Sequence, residues 1–477
     1  VVSGLRGFGI FILFLLGLSA LQAQDISSTK VPDTREVTIG NVYITGHKKT
    51  REEIILRELD FEAGQTISRQ ALAESLELAR QKLTNTRLFV IVEIVPLEMS
   101  DTEVDILIRL QERWYIFPVP IFRLADRNFT EWWRNQNRDF SRVNYGLRVL
   151  HFNLTGRNDR LQVTTQFGFT KNYAVQYQIP YINKKQTLGL TVSSGFTNNK
   201  TVSFNTRNHR LRFVESEEII RRRFATSASL TYRPNFFSRH SLNAAYTRTS
   251  IADTLRNANP EYLLDGQKLQ RYFRLSYIYS WDKRDYFAYP LSGKLYRLEL
   301  NKFGLGFYDD INMFTVRASW GEYFDLGKNF YLANRISGYY NFNDTNDIPY
   351  LLRSGFGYRP NFIRGYERYV VEGQSFISNR SAFRWKFLSG VNQLSKRSII
   401  PQFQTLPYAF YLKAFLDLGY VGEPLDVTRG NFFNQTLLLG AGMGLDVVAY
   451  YDFVVRFEFS VNKEGQTGFF INFRSAL

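Results

Sequence analysis

Residue types that usually carry catalysis are scarce in this sequence. It has no cysteine and four histidines, His47, His151, His209 and His240, none at a metal-ligand spacing such as HExxH. Disulfides, thiolate chemistry and cysteine metal sites are thereby excluded, and no metal centre is expected. No GxSxG nucleophile elbow is present. Gly440, Gly442 and Gly444 form a GxGxG run with no helix after it, so it does not read as a nucleotide loop. Alternate glycines on one strand face instead make room for a bulky neighbour or a bend. We therefore expect neither an enzyme nor a cofactor. What remains is a recognition pair. Arg364, Gly365 and Tyr366 lie in the long connection 343–375, and two connections later Asp417 sits between Phe415 and Gly419. An arginine from a folded-in loop can meet that carboxylate bidentately. Gly365 permits a tight bend, and Tyr366 supplies a ring to pack on the wall.

The elements that must hold this pair are strands. From Trp114 onward the helical period is absent, and segments of about ten residues alternate with period two. Between 452 and 461, Phe453, Val455, Phe457, Phe459 and Val461 face one way, and Asp452, Arg456, Glu458 and Ser460 the other. Leu161, Val163, Phe167 and Phe169 oppose Arg160, Gln162, Thr164 and Gln166 in the same manner, as Leu412, Leu416 and Leu418 oppose Lys413 and Asp417. Charges in mid-strand opposite an aromatic-rich face predict a wet lumen and a lipid-facing exterior, not a soluble sandwich. Spans near 144–154, 159–170, 172–181, 186–197, 199–213, 221–233, 238–252, 270–281, 293–303, 311–323, 329–342, 376–388, 408–421, 436–448, 452–461 and 467–473 give sixteen strands. An even count fits a bacterial transmembrane barrel. With the first of these strands rising outward, odd-numbered connections lie outside the cell, 343–375 among them. The composition agrees, with 42 Phe and 29 Tyr at a mean hydropathy of −0.26. The net charge of +16 suits anionic headgroups. The basic residues match no nucleic-acid motif, so no nucleic acid is expected.

Residues 1–23 read as a signal peptide, with Arg6, an apolar core from Phe8 to Leu18 and Ala23 at the cleavage position. That core is too short to span a bilayer as a helix, and no later segment does so. Residues 24–36 are a polar linker. Residues 37–113 form a small α+β unit in the order β-α-α-β-β. Thr50 with Glu53 makes a capping box for a helix to about Leu59, and Ser68 caps a second helix to about Leu83. Residues 114–477 form the barrel.

In their order, these motifs resemble the BamA/TamA superfamily of outer-membrane assembly and translocation proteins. Gly46, Thr50, Glu53, Arg57-Glu58-Leu59, Gly64, Leu83, Leu88-Phe89 and Glu112-Arg113 resemble a POTRA domain. Asn153 to Asp159 resembles the family's first barrel turn. Asp282, Arg284 and Asp285, with Pro290 and Gly293, resemble its periplasmic turn before the ninth strand. In that family an Arg-Gly-Tyr loop locks onto a Phe-x-Asp-x-Gly strand, here Arg364, Gly365, Tyr366 and Phe415, Asp417, Gly419. There are departures. The chain has room for one POTRA domain, Ser381-Ala382-Phe383 stands where a glutamate is usual, and Arg474 to Leu477 follow the final aromatic.

The resemblance implies a non-enzymatic factor that folds and inserts client β-barrels. Its partners would be outer-membrane lipids, unfolded clients and periplasmic chaperones or accessory assembly subunits. A barrel offers a free edge only where its seam opens. The seam is expected between 144–154 and 467–473, marked by Asn144, Leu154, Gly468 and Phe473. The alternative is a pore secreting a partner polypeptide. Relatives of that kind carry a plug helix, for which 24–36 is too short and polar.

Overall fold

The computed structural model describes residues 35–124, 138, 140, 143–183, 185–308, 310–358, 361–393, 405–425, 430, 432–449 and 453–474. The span read as a signal peptide, and nearly all of that read as a linker, lie outside the described residues.

The N-terminal unit comprises β1 (Glu36–Thr45), α1 (Glu52–Leu56), β2 (Thr66–Ser68), α2 (Arg69–Asn85), β3 (Phe89–Glu98) and β4 (Glu103–Glu112). Its sheet runs β2-β1-β4-β3, with β1 parallel to β4. The short β2 was not expected between the helices. Ser68 caps α2 as expected, its Oγ accepting from Ala71 N–H at 3.2 Å. The capping box at Thr50 does not form. Arg51 is the N-cap of α1 and makes no side-chain bond to it. Thr50 is occupied elsewhere, at the junction described below.

The barrel sheet holds sixteen strands: β5 (Ile116–Leu124), β6 (Val143–Phe152), β7 (Arg160–Gly168), β8 (Thr170–Ile179), β9 (Leu188–Asn199), β12 (Arg221–Tyr232), β13 (Ser238–Ile251), β14 (Leu269–Asp282), β15 (Gly293–Phe303), β16 (Met313–Gly327), β17 (Phe330–Asn341), β20 (Ser375–Gln393), β21 (Thr405–Val421), β22 (Leu437–Ala449), β23 (Phe453–Asn462) and β24 (Thr467–Arg474). Every pairing in it is antiparallel. The alternation divides two solvents. Phe459 is 53% exposed toward lipid, whereas its neighbours Glu458 and Ser460 are 2% and 0% exposed. Phe383, Trp385, Phe387, Leu412 and Leu416 lie exposed on the same outer face.

The expected total is met by two compensating errors. The first strand, β5, falls in a stretch given no strand from the sequence, and it carries Pro118 and Pro120, residues that weigh against a central strand. The span 199–213 is not a wall strand. β9 ends at Asn199, and a separate hairpin, β10 (Thr201–Arg207) with β11 (Arg210–Glu215), stands outside the barrel sheet. The turn 153–159 therefore belongs to the periplasmic rim, not outside the cell. From β12 onward the parity is restored, so 343–375 is extracellular and 283–292 periplasmic. A two-stranded β18 (Gly355–Phe356) and β19 (Val371–Glu372) brace the long loop.

The small domain and the barrel share a core. Ile39, Ile55, Leu83 and Ile108 pack in one buried cluster with Tyr115, Leu150 and Phe152 of the barrel rim. Thr50 Oγ1 lies 3.0 Å from the Tyr115 hydroxyl and accepts from Asn153 Nδ2 at 2.9 Å. Its N–H donates to Glu112 at 2.7 Å. Buried Glu58 pairs with barrel Arg233 at 3.2 Å.

Candidate functional site

The loop 343–375 folds into the lumen and delivers Arg364 to Asp417. Nε donates to Oδ2 at 2.8 Å and Nη2 to Oδ1 at 2.5 Å, the bidentate fork that guanidinium geometry favours. The Arg364 backbone N–H adds a third bond to Oδ2 at 3.1 Å. Asp417 is 0% exposed and Arg364 4%. The guanidinium lies over the Phe415 ring at 3.9 Å. Gly365 takes φ +93°, which an L side chain rarely adopts. A Cβ on Gly419 would strike Ile363, and one on Gly440 would strike the Arg364 carbonyl. Gly440 thus clears the wall for the loop backbone, a specific case of the room expected from the glycine run.

The pair is one part of a longer network. Arg380 Nε reaches Asp417 at 3.2 Å from the neighbouring strand β20. Arg364 Nη1 lies 3.5 Å from Glu458, which also meets Lys413 at 2.9 Å. Lys413 reaches Asp446 at 2.5 Å, and Asp446 accepts from the Tyr289 hydroxyl at 2.9 Å. Glu458 additionally accepts from Asn472 of β24 at 3.0 Å. Where the usual glutamate is absent, the Ser381 carbonyl accepts from Arg364 Nη2 at 3.2 Å. Sequence reading placed Glu458 and Lys413 on polar strand faces without connecting them. Periodicity gives a face, not a partner.

Tyr366 is buried, but not against the bare wall. Its ring meets Phe433 edge-on at 5.2 Å, and its hydroxyl donates to Glu464 at 2.8 Å. Tyr369 donates to Gln466 at 2.8 Å, and Asn462 Nδ2 donates to the Gly365 carbonyl at 3.1 Å. The loop therefore grips the hairpin that leads into β24.

The periplasmic turn forms as a unit. Arg284 clasps Asp282 through Nε at 2.7 Å and Nη2 at 2.6 Å. Asp285 accepts from Leu291 N–H at 3.0 Å, and the Pro290 carbonyl accepts from Arg384 at 2.8 Å. Gly293 holds φ +98°. Tyr289, on the same turn, reaches Asp446. A chain of side chains thus runs from the extracellular loop to the periplasmic turn.

The seam is not where it was expected. Asn144 lies on β6, which is paired on both sides, and its Oδ1 accepts from Thr170 N–H at 2.6 Å. Leu154 sits in the periplasmic turn after it. The sheet instead ends at β24 on one side and β5 on the other, and among the described residues no ladder joins them. Gly468 and Phe473 do lie on β24, paired with Ser460 and Val455. Phe152 N–H donates to the Tyr115 carbonyl at 2.8 Å. That bond sets the phase: odd-numbered residues of β5 bond to β6, and even-numbered ones turn their backbone groups to the free edge. Pro118 and Pro120 are both even-numbered, so the edge lacks a donor at each.

A lipid-facing barrel with a lumen loop lock and a periplasmic α/β domain defines a class of outer-membrane barrels. The Omp85 superfamily domain matches residues 153–461, and the surface antigen variable number repeat, POTRA, matches 37–113. The chain belongs to the Omp85 superfamily. It lies in the bacterial outer membrane with its POTRA domain in the periplasm, in a superfamily of non-enzymatic proteins that engage outer-membrane lipids and unfolded clients. The fold resembles BamA from Haemophilus ducreyi lacking POTRA domains 1–3 at TM-score 0.51 and 14% identity, covering 92% of this chain and 83% of that one. It also resembles CdiB from Escherichia coli at TM-score 0.53 and 10% identity, covering 92% and 75%. No curated protein matches the sequence. The superfamily includes both BamA-type assembly factors and CdiB-type secretion translocons.

Proposed function

We propose that this chain folds and inserts client β-barrels, using the edges of β5 and β24 as templates. The observation that carries this reading is the unpaired seam with two prolines on its edge. An edge short of donors makes a poor ladder with β24, yet keeps its carbonyls free to accept from a client strand. The β24 edge has no proline and offers an ordinary template. Both edges are short, nine and eight residues, against 14 and 11 in β14 and β15 on the opposite wall. At about 3.3 Å per residue the seam spans roughly two-thirds of the height of that wall, which favours a thinned bilayer beside it. The lumen lock holds the hairpin into β24 in place while its edge stays open. Periplasmic chaperones or accessory subunits would deliver the client.

A second reading, passage of a partner polypeptide, is favoured by a chamber of about 900 Å³ at the periplasmic mouth, lined among others by Arg160, Arg233 and Arg239, and is compatible with the CdiB-like fold. Reconstitution in liposomes separates the two. A denatured client barrel is expected to fold several-fold faster with this protein than with a passive barrel of equal size. Equal rates, together with transfer of a soluble passenger into the lumen of the vesicle, would reject insertion in favour of secretion.

A further inference from the structure

A chamber of about 900 Å³ lies between α2 of the POTRA domain and the periplasmic rim of the barrel. Its lining carries eight basic and three acidic side chains. Some of the basic groups are spoken for. Lys82 pairs with Asp60, Arg233 with Glu58, and Arg284 with Asp282. Arg160 and Arg239 have no carboxylate within 4 Å among the described residues. Arg160 rests over the Phe152 ring at 4.4 Å, and Arg239 is exposed to the chamber. Neither makes an ion pair of its own, and Glu58 and Asp282 act on Arg239 only from beyond 4 Å.

We infer that this chamber binds an extended acidic polypeptide segment. Size and spacing select that ligand over a small anion. The volume sits at the upper end of the roughly 300–1,000 Å³ typical of ligand pockets. Arg160 begins β7 and Arg239 lies on β13, four strand spacings away through β8, β9 and β12. The ladder puts Asn243, four residues from Arg239, level with Arg160, so at about 4.8 Å per spacing and about 3.3 Å per residue the two stand roughly 23 Å apart along the wall. One phosphate does not bridge that distance, whereas about seven extended residues do. Two guanidinium forks then meet two side-chain carboxylates. The inference adds a holding site to either functional reading, and its binding test is independent of insertion, so each can fail alone.

The test uses the full chain in zwitterionic detergent and a fluorescein-labelled decapeptide of alternating Asp and Ser, read by anisotropy. The acidic peptide is expected to bind at least tenfold more tightly than its Asn-for-Asp counterpart, and binding should weaken with salt. Arg160→Gln with Arg239→Gln should lose about tenfold or more in affinity, with a fall in thermal stability no larger than the loss of one ring contact, Arg160 over Phe152. Arg160→Lys with Arg239→Lys keeps the charge and should recover much of the binding, which separates loss of charge from misfolding. Three outcomes would overturn the proposal: equal binding of the neutral peptide, full affinity in the double Gln variant, or complete displacement by inorganic phosphate at millimolar concentration.

Discussion

At Arg364 five contacts converge on one guanidinium and its own backbone: a bidentate fork and an N–H to Asp417, a carbonyl from Ser381, and Glu458 behind them. Removing either partner leaves the other charge in a nearly dry place. Breaking such a buried pair costs about 3–5 kcal/mol, and lumen water moves the expectation toward the lower end. Arg364→Ala and Asp417→Asn should each lower the urea midpoint of the barrel by an amount equivalent to about 3 kcal/mol and slow client insertion. Wild-type midpoints and rates in both would remove the lock from the account. Gly440→Ala should mimic them without touching a charge, because its methyl would occupy the place of the Arg364 carbonyl. The Arg364 and Asp417 pair was legible in the sequence because a common tripeptide stood in the longest connection, with a mid-strand acid two connections on. Glu458, Lys413 and Asp446 were not, since any wet lumen places charges at alternate strand positions.

Among the elements, β5 is the most informative. Its two prolines weigh against a central strand and deprive its outer edge of two donors. Replacing Pro118 and Pro120 with alanine returns two donors to the seam. Pro118→Ala with Pro120→Ala should raise the unfolding midpoint, by closing a ladder with β24, and slow client insertion several-fold. An unchanged insertion rate in a stabilised barrel would show that the seam is not the working edge. The misassigned span 199–213 has a similar lesson: a hairpin outside the wall alternates as a wall strand does. The Thr50 capping box failed because Tyr115 and Asn153, distant in sequence, compete for its hydroxyl.

The outer cap is an element with its own chemistry. His209, at the tip of the β10–β11 hairpin, accepts from Phe433 N–H through Nε2 at 3.0 Å, and its Nδ1 faces the Val370 carbonyl at 3.3 Å. That geometry requires the neutral ring with its hydrogen on Nδ1. Burial lowers its pKa from the usual 6.5, against the opposing pull of the Val370 carbonyl. Arg210 lies over the adjacent Tyr369 ring at 5.9 Å. A depressed folded value means that the contribution of His209 to docking is complete above about pH 6.5 and is lost as pH falls through the folded value. Protease cleavage within 357–373 should therefore rise on acidification from pH 7.5 to 5. His209→Gln should abolish that dependence. A wild-type profile flat over the same range would mean that the imidazole does not hold the cap.

At the scale of the whole molecule, the architecture was legible because lipid outside and water inside impose period two on every wall strand, whereas the count of sixteen agreed only because a missed β5 offset a miscounted hairpin. Closure was not, because an edge is defined by what fails to pair with it, and no residue pattern states that directly. The shared core of Ile39, Tyr115 and Phe152 makes POTRA and barrel one apolar unit, and the network from Arg364 to Tyr289 ties the outer loop to the inner turn. Against that braced frame the seam between β5 and β24 is the weak line, and client insertion is proposed to occur there. Amide hydrogen exchange in lipid nanodiscs tests this most directly. The account predicts that edge-facing amides of 116–124 and 467–474 exchange far faster than those of 405–421, and that a client barrel captured in mid-folding protects them. Seam amides as protected as those of 405–421 from the start, and unaltered by the client, would contradict it.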